Sequence, residues 1–478
     1  MAKFNATTST RTVNHEGHVA YSMQPKAKLI TQVLTSFFNE QKFYGDNTSD
    51  MKELIPAVIK SDPQFVSNLA VFARLEFNMR SVSHVLTCFL ANGAEGKPYV
   101  RDTVRGVVLR GDDATEILSF YLSEFGKPIP NSLRRALRDV LSTFDAYTLA
   151  KYKGDGHAVK MRDLLRICRP HPETEEQSAM WNQLLDGTLP PAYTWESELS
   201  AHGNNKETWE ELINSGRCGY MGLLRNLRNI INVNPDNLDK VLDKISDPEA
   251  VKHSRQLPFR FLSAYKNLPA NAGKKVTDAL EKAVESACEN VPKLPGRTVI
   301  AVDVSGSMSN NVSAKSDVRC CEIGMMLGII ANRICEDAIF YAFDNRIEQK
   351  QIPSAGILYS TVHEAMASGG TDMNLPFRKM LEDHINCDRI IIISDNECNC
   401  GWYGNTVQTY ADRYRGKTGN NIWVHAIDLM GYGTQQFAGP KTNIIAGWSE
   451  KVFDFILLAE QGEGNLEKTI AKYKWQKE

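Results

Sequence analysis

Between about residues 24 and 290, apolar positions recur three or four apart, the spacing of one face of a helix. The segments AKLITQVLTSFFNEQ, DMKELIPAVIKS, PQFVSNLAVFARLEF, SVSHVLTCFLANG and DATEILSFYLSEFG carry this pattern, and most stop at Gly, Pro, Asn or Asp. SLRRALRDVLSTF, MRDLLRIC, TWEELINSG, GLLRNLRNIIN, DNLDKVLDKI, LPFRFLSAYKNL and KKVTDALEKAVESA continue it. Strand-like alternation is nearly absent. A row of short amphipathic helices predicts stacked helix pairs, an α-solenoid of the HEAT or armadillo kind. Residues 1–23 are polar and read as a flexible or extended arm, leaving 24–290 as the helical-repeat domain.

The pattern changes at VPKLPG, whose two prolines and glycine mark a boundary. TVIAVDV, AIFYAFD, CDRIIIISD and NIWVHAIDL are apolar runs suited to strands buried on both faces. They alternate with helical SDVRCCEIGMMLGIIANRI, PFRKMLEDHI and TVQTYADRYRG. Residues 295–478 therefore read as a doubly wound α/β domain, and such folds place ligands at the carboxyl ends of the strands. The fold class expected is α plus α/β.

Composition changes this picture little. The chain of 478 residues is too long for one ordinary core, and 42% apolar content suits globular packing. Ten cysteines at irregular spacing make no disulfide framework. The N-terminus lacks a signal-peptide core and no run of 18 apolar residues exists, so a reducing cytoplasmic setting without a membrane span is expected. Cys398 and Cys400, in NECNCGWYG, read as incidental thiols of an exposed loop, because C-x-C lacks the second ligand pair of a zinc site.

Chemistry concentrates where the first strand of the α/β domain ends. Asp303, Ser305 and Ser307 place three hard oxygens around Gly306, which permits a tight turn. Thr371 and Asp372 follow a Gly-Gly pair, and Asp395 ends the four-isoleucine strand. Such donors suit magnesium, with manganese or calcium as alternatives. The set resembles the metal-ion-dependent adhesion site of von Willebrand factor A domains at Asp303, Ser305, Ser307, Thr371 and Asp395. That resemblance implies direct ligation by the serines, direct or water-mediated ligation by Thr371, and mainly water-mediated support from the aspartates. An open position would accept a partner's acidic group. A serine nucleophile is the weaker reading, because VSGSM does not match the G-x-S-x-G elbow. Three histidines, His363, His384 and His425, follow in this domain. His384 falls at the end of a helix and His425 within a strand, places that the fold itself accounts for.

The formal net charge of −2 hides a local excess. From Lys127 to His171 ten Lys and Arg face four acidic residues. The candidate nucleic-acid contacts here are Arg134, Arg135, Arg138, Lys151, Lys153, Lys160, Arg162, Arg166, Arg169 and His171. Arg217, Arg225, Arg228, Lys252, His253, Arg255 and Arg260 form a second set, of which Arg225, Arg228, His253 and Arg255 are the candidate contacts, and Asn226 and Asn229 could read base edges beside it. Such a block in a balanced domain is the electrostatic footprint of a phosphate backbone, and guanidiniums also stack on unpaired bases. The competing expectation pairs Arg134, Arg135 and Arg138 with Asp139 or Asp145.

NMRSV (Asn78 to Val82), KYK (Lys151 to Lys153), RDLLR (Arg162 to Arg166), GYMGLLRNLRNI (Gly219 to Ile230), LPFRFL (Leu257 to Leu262), AVDVSGSM and SDNE occur in fixed order. From about Pro25 onward the chain resembles the Ro ribonucleoprotein autoantigen family, whose N-terminal module is the TROVE domain. The resemblance implies helical repeats closed into a ring, with the A domain sealing it and a basic central hole for single-stranded 3′ ends of misfolded RNA. It implies a small Y-like RNA on the outer face, touching Lys151, Lys153 and Arg166, with Arg225 and Arg228 facing the hole or stabilising packing. It further implies an exoribonuclease partner, a monomeric protein and a role in RNA quality control without catalysis. Gly154 and Asp155 depart from the family pattern, as do Arg169 and His171, which stand near a position where the family often has histidine. The alternative function is a metal-dependent protein–protein scaffold with no RNA role.

Overall fold

A computed structural model of the chain describes residues 10–14, 17–35, 49–154, 158–289, 291–311, 317–353, 356–399, 406–448, 450–462 and 465–475. It folds as two compact units, one of residues 1–39 with 219–468, the other of residues 40–218 with 469–478.

The first unit begins with strands β1 (Arg11–Val13) and β2 (Val19–Ser22) and helix α1 (Pro25–Leu34). The described part of the expected arm is thus a hairpin. Its turn is closed by the Gly17 and His18 amides, which donate to the Asn14 carbonyl and Asn14 Oδ1, and Ala20 is buried.

The helices of the second unit are α2 (Ser49–Ser61), α3 (Pro63–Leu75), α4 (Ser81–Asn92), α5 (Val100–Val107), α6 (Gly111–Phe125), α7 (Asn131–Leu141), α8 (Ala146–Lys151), α9 (Met161–Cys168), α10 (Glu175–Asp186), α11 (Trp195–His202) and α12 (Lys206–Asn214). Their apolar stripes meet neighbour against neighbour, as in α3 with α4 and α5 with α7. A buried charge network joins three of them. Asp113 of α6 receives Arg74 Nη2 at 3.1 Å and Arg80 Nε at 2.5 Å, while the Leu109 and Arg110 amides donate to its Oδ2. Burial alone would push this carboxyl up. The His84 hydrogen bond and the two guanidiniums reverse that and hold it far below the usual range. Arg80 belongs to NMRSV, so that motif is a structural clamp.

Helices α13 (Tyr220–Val233), α14 (Leu238–Ser246), α15 (Pro248–Ser254), α16 (Pro258–Lys266) and α17 (Lys274–Ala287) belong to the first unit with the α/β domain. The packing therefore divides near residue 219, whereas the hydrophobic pattern changes near 291. Lys266 of α16 reaches the buried Glu322 at 2.7 Å, and Glu281 of α17 accepts from the Leu358 and Tyr359 amides.

The α/β domain runs β3 (Leu294–Asp303), α18 (Cys320–Ile334), β4 (Cys335–Phe343), β5 (Ile347–Lys350), α19 (Ile357–Glu364), α20 (Leu375–Glu382), β6 (Arg389–Ser394), α21 (Val407–Thr418), β7 (Trp423–Asp428), β8 (Thr434–Gln435), β9 (Thr442–Ala446) and α22 (Asp454–Glu460). The sheet order is β5-β4-β3-β6-β7-β9, parallel except for β5. Every residue of RIIIIS in β6 is buried, as expected of a central parallel strand. Strand β8 pairs instead with β2, Tyr21 opposite Gln435. No helix among the described residues is long and apolar enough to cross a membrane.

Candidate nucleic-acid interface and cation site

Strands β3 and β6 are adjacent and in register, Val302 opposite Ile393, so Asp303 and Asp395 leave the sheet at the same edge. The segment carrying Thr371 is bonded to both exits. The Gly306 amide donates to the Gly369 carbonyl at 2.9 Å, the Ser368 amide to Val304 at 2.7 Å, and the Asn399 amide to Thr371 at 2.9 Å. Gly306 is needed for that approach, since a Cβ there would lie 3.0 Å from the Gly369 carbonyl oxygen. Ser305 Oγ and Ser307 Oγ lie 3.1 Å apart. The segments that carry the five expected donors thus meet at one edge of the sheet. Asp372 does not join them, because its Oδ1 accepts from the Asn374 amide at the start of α20.

Asp303, Ser305, Thr371 and Asp395 are all buried. Asp303 Oδ1 accepts from the Ser305 amide at 2.8 Å, while Oδ2 is buried without a hydrogen-bond partner among the described residues. Burial, and then the Asp395 charge, push the Asp303 carboxyl well above the usual range. Asp428, at the end of β7, is pushed up to about 7 mainly by burial, although the Met430 and Gly431 amides donate to it. Crowded carboxylates, an orphaned oxygen and three hydroxyls fit a hard divalent cation. Among the described residues no group of three or more His, Cys, Asp or Glu side chains is arranged to hold a metal; the donor set here is one of carboxylates with hydroxyls. Cys398 is buried, its carbonyl accepting from Asn14 Nδ2 at 3.0 Å, which corrects the exposed-loop expectation for this residue. Cys400 lies outside the described residues.

Among the described residues the three histidines of this domain are placed as follows. His425 is buried, accepting from Asn443 Nδ2 at Nδ1 and donating from Nε2 to Glu460 at 3.0 Å. His363 is stacked on Tyr359. His384 takes a left-handed conformation after α20, with φ of 52°.

The basic candidates of the second unit lie on neighbouring helices. Helix α7 buries Leu133, Ala136, Leu137, Val140 and Leu141, which turns Arg134 and Arg135 to solvent and leaves Arg138 half-buried. Helix α9 buries Met161, Leu164, Leu165 and Cys168, which leaves Arg162 and Arg166 exposed one turn apart. Arg138 Nε donates to the Cys168 carbonyl at 2.8 Å, satisfying the end of α9 and tying the two helices together. Arg169 follows in a left-handed conformation, exposed, and His171 is exposed beyond it.

The expected pairing with Asp139 and Asp145 does not occur. Asp139 takes Arg101 at 2.5 Å and Arg105 at 3.7 Å, and Asp145 caps α8 through the Thr148 amide. Arg134, Arg135, Arg138, Lys151, Lys153, Lys160, Arg162, Arg166 and Arg169 form no ion pair with a carboxylate among the described residues. Lys160 is half-buried, and its backbone amide, not its side chain, bonds Asp163. Lys153 Nζ is committed to the Leu189 carbonyl at 2.9 Å. His157 and Asp155 lie outside the described residues.

In the other unit, Arg225 and Arg228 are exposed on α13 without a carboxylate partner among the described residues. Burial, and then the Arg225 charge, pull the Arg260 guanidinium down, so two cations sit close there. Asn226 is corrected: it is buried, its amide donating to Gly222 and its oxygen accepting from Asn229. It cannot read a base edge. His253 Nδ1 lies 2.7 Å from the Glu249 carbonyl on the preceding turn. Arg255 is exposed in a left-handed conformation.

The pattern of charge did not point to the aromatic rings among these cations. Lys151 Nζ lies 5.5 Å from the ring centres of both Tyr147 and Tyr152, Arg110 5.4 Å from Tyr152, and Arg217 5.0 Å from Tyr193. The spacing of Tyr147, Lys151 and Tyr152 was the available signal.

The TROVE domain matches residues 4–188 and 178–275, and the Ro60 vWA domain matches residues 297–426. Telomerase protein component 1 of Rattus norvegicus is 25% identical over 325 residues, covering 50% of this chain and 12% of that protein. RNA-binding protein RO60 of Deinococcus radiodurans is 28% identical over 341 residues, covering 60% of this chain and 63% of that protein. The chain thus spans less than two thirds of the length of these curated relatives. The crystal structure of Deinococcus radiodurans RO (RSR) protein superposes with a TM-score of 0.64 at 19% identity, covering 92% of this chain and all of that one. The likeness in structure is one of fold, helical repeats followed by a vWA-type sheet.

Proposed function

The chain belongs to the Ro60 family, a TROVE domain joined to a Ro60 vWA domain, and from that premise we propose that it binds small noncoding RNA in RNA quality control. One observation carries the reading: exposed arginines on α7 and α9 gather without carboxylate partners among the described residues. Unneutralised cations on rigid helices suit a phosphate backbone, whose binding releases counterions. Arg134, Arg135, Arg162, Arg166, Arg169 and Lys151 would contact a Y-like RNA, and Arg225 and Arg228 would meet single-stranded 3′ ends of misfolded RNA. Lys153 and Arg138 act through the scaffold, because the structure engages both with backbone carbonyls.

Asp303, Ser305, Ser307, Thr371 and Asp395 would hold a divalent cation, magnesium by donor chemistry. That ion supplies an open Lewis-acid position for a partner's carboxylate. The chain's own residues bury Asp303, Ser305, Thr371 and Asp395 and hold the two serine hydroxyls 3.1 Å apart. Delivery to an exoribonuclease, a monomeric state and a cytoplasmic setting complete the proposal, in which the chain holds RNA and does not cut it.

Sequencing the RNA that co-purifies with the full chain tests the reading. Enrichment of small structured RNAs supports it, and RNA no different from that retained by an unrelated neutral protein refutes it. The Asp303→Ala, Ser305→Ala pair separates the scaffold alternative, since it removes metal-dependent protein contacts and leaves RNA retention intact.

A further inference from the structure

We propose that the groove between α8 and the segment 188–193 is a pocket for an unpaired nucleobase, a reading that rests on the RNA-binding function above. The groove has a volume of about 620 Å³ and is lined by Tyr147, Ala150, Gln183, Leu189, Tyr193 and Arg217, with Pro190 and Pro191 on one wall. That volume falls within the ~300–1,000 Å³ range of small-ligand sites.

Three features select a nucleotide. Tyr147 is 48% exposed although it belongs to a helix, so a flat apolar face stands open to solvent. Cations flank it: Lys151 Nζ sits 5.5 Å from its ring centre and donates to its hydroxyl at 3.4 Å, and Arg217 covers the Tyr193 ring. Neither Lys151 nor Arg217 has a carboxylate partner among the described residues, so both can neutralise the phosphates on either side of a stacked base. Gln183 adds an amide that can donate to and accept from a base edge. The wall is fixed, because Lys153 Nζ ties the Leu189 carbonyl to the end of α8. A proline-rich peptide would satisfy the tyrosines and leave both cations unneutralised. A duplex would keep its base faces covered.

The test uses the full chain and a fluorescein-labelled single-stranded oligoribonucleotide of mixed sequence, with an abasic strand of equal length as control. Tyr147→Ala is expected to weaken the base-bearing strand about tenfold, the loss of one base–aromatic stack. Tyr147→Phe is expected to bind as the natural chain does, and the salt dependence to be unchanged in both variants. The abasic strand is expected not to distinguish Tyr147→Ala from the natural chain. An unchanged melting temperature for Tyr147→Ala checks the fold. Equal affinity of the natural chain and Tyr147→Ala for the base-bearing strand overturns the pocket and leaves the RNA-binding function standing. Failure of the natural chain to bind either strand overturns both. Displacement by a proline-rich peptide, with no effect of Tyr147→Ala on RNA, makes the groove a peptide site and also overturns the proposal.

Discussion

Asp303 carries a carboxylate that is fully buried, and its Oδ2 finds no donor among the described residues. Its raised pKa has a definite consequence. An acid whose folded pKa lies above its unfolded value takes up a proton on folding, so metal-free stability is greatest in acid and falls as pH rises past the ordinary carboxylate range. Magnesium at the proposed site is expected to reverse this at neutral pH by taking the proton's place. Thermal unfolding at pH 7 is expected to show stabilisation by magnesium, on the order of 3 kcal/mol at a hundredfold excess over the dissociation constant. Asp303→Ala is expected to abolish it. Asp303→Asn, which removes the repulsion with Asp395, is expected to melt higher than the natural chain without magnesium. A second residue titrates in the opposite sense. Burial raises the Glu460 pKa, but the hydrogen bonds from His425 and Arg389 and the charges of both outweigh it and bring the value to about 2. Its contribution is present above about 4.5 and lost as pH falls toward about 2. Acid unfolding of Glu460→Gln is therefore expected to lack that step. The same substitution strands the buried Arg389 and costs roughly 3–5 kcal/mol at pH 7, read by chemical denaturation.

The α9 helix was legible in the sequence because Met161, Leu164, Leu165 and Cys168 alone define its buried stripe. Helix α10 was not, because only Trp181 and Leu184 of its twelve residues are buried, too few to show a stripe. Nor could the fate of Asp139 be read, since its partners come from α5, which carries Arg101 and Arg105 and is distant in sequence. That pairing leaves Arg134, Arg135 and Arg138 without a carboxylate partner among the described residues. Replacing Arg162, Arg166 and Arg169 together by alanine is expected to lower the salt slope of binding to a small Y-like RNA by about 2, at ~0.7 per lost phosphate contact in its unpaired segments. Circular dichroism is expected to be unchanged, because all three side chains are exposed. The Asp113 clamp was missed for a related reason: nothing local to Asp113 announces that Arg74, Arg80 and His84 arrive from elsewhere in the chain. Asp113→Ala strands two guanidiniums and is expected to cost roughly 3–5 kcal/mol in denaturant unfolding.

At the scale of the whole chain, the order of helical repeats and α/β domain was legible, and so was the D-x-S-x-S edge, because strand burial and turn chemistry are local. The division of the packing near residue 219 was not, because it depends on contacts such as Lys266 with Glu322 that span 56 positions of sequence. The hairpin was missed because its two strands are short and its partner β8 lies more than four hundred residues onward. The central claim is that cations left unpaired by the fold hold RNA. The most direct measurement is filter binding of a small structured RNA with a single-stranded 3′ end, across a series of salt concentrations, beside a neutral control protein. The expected result is tight binding at low salt that weakens along a straight line in log affinity against log salt. Affinity no greater than that of the control protein at every salt concentration would contradict it.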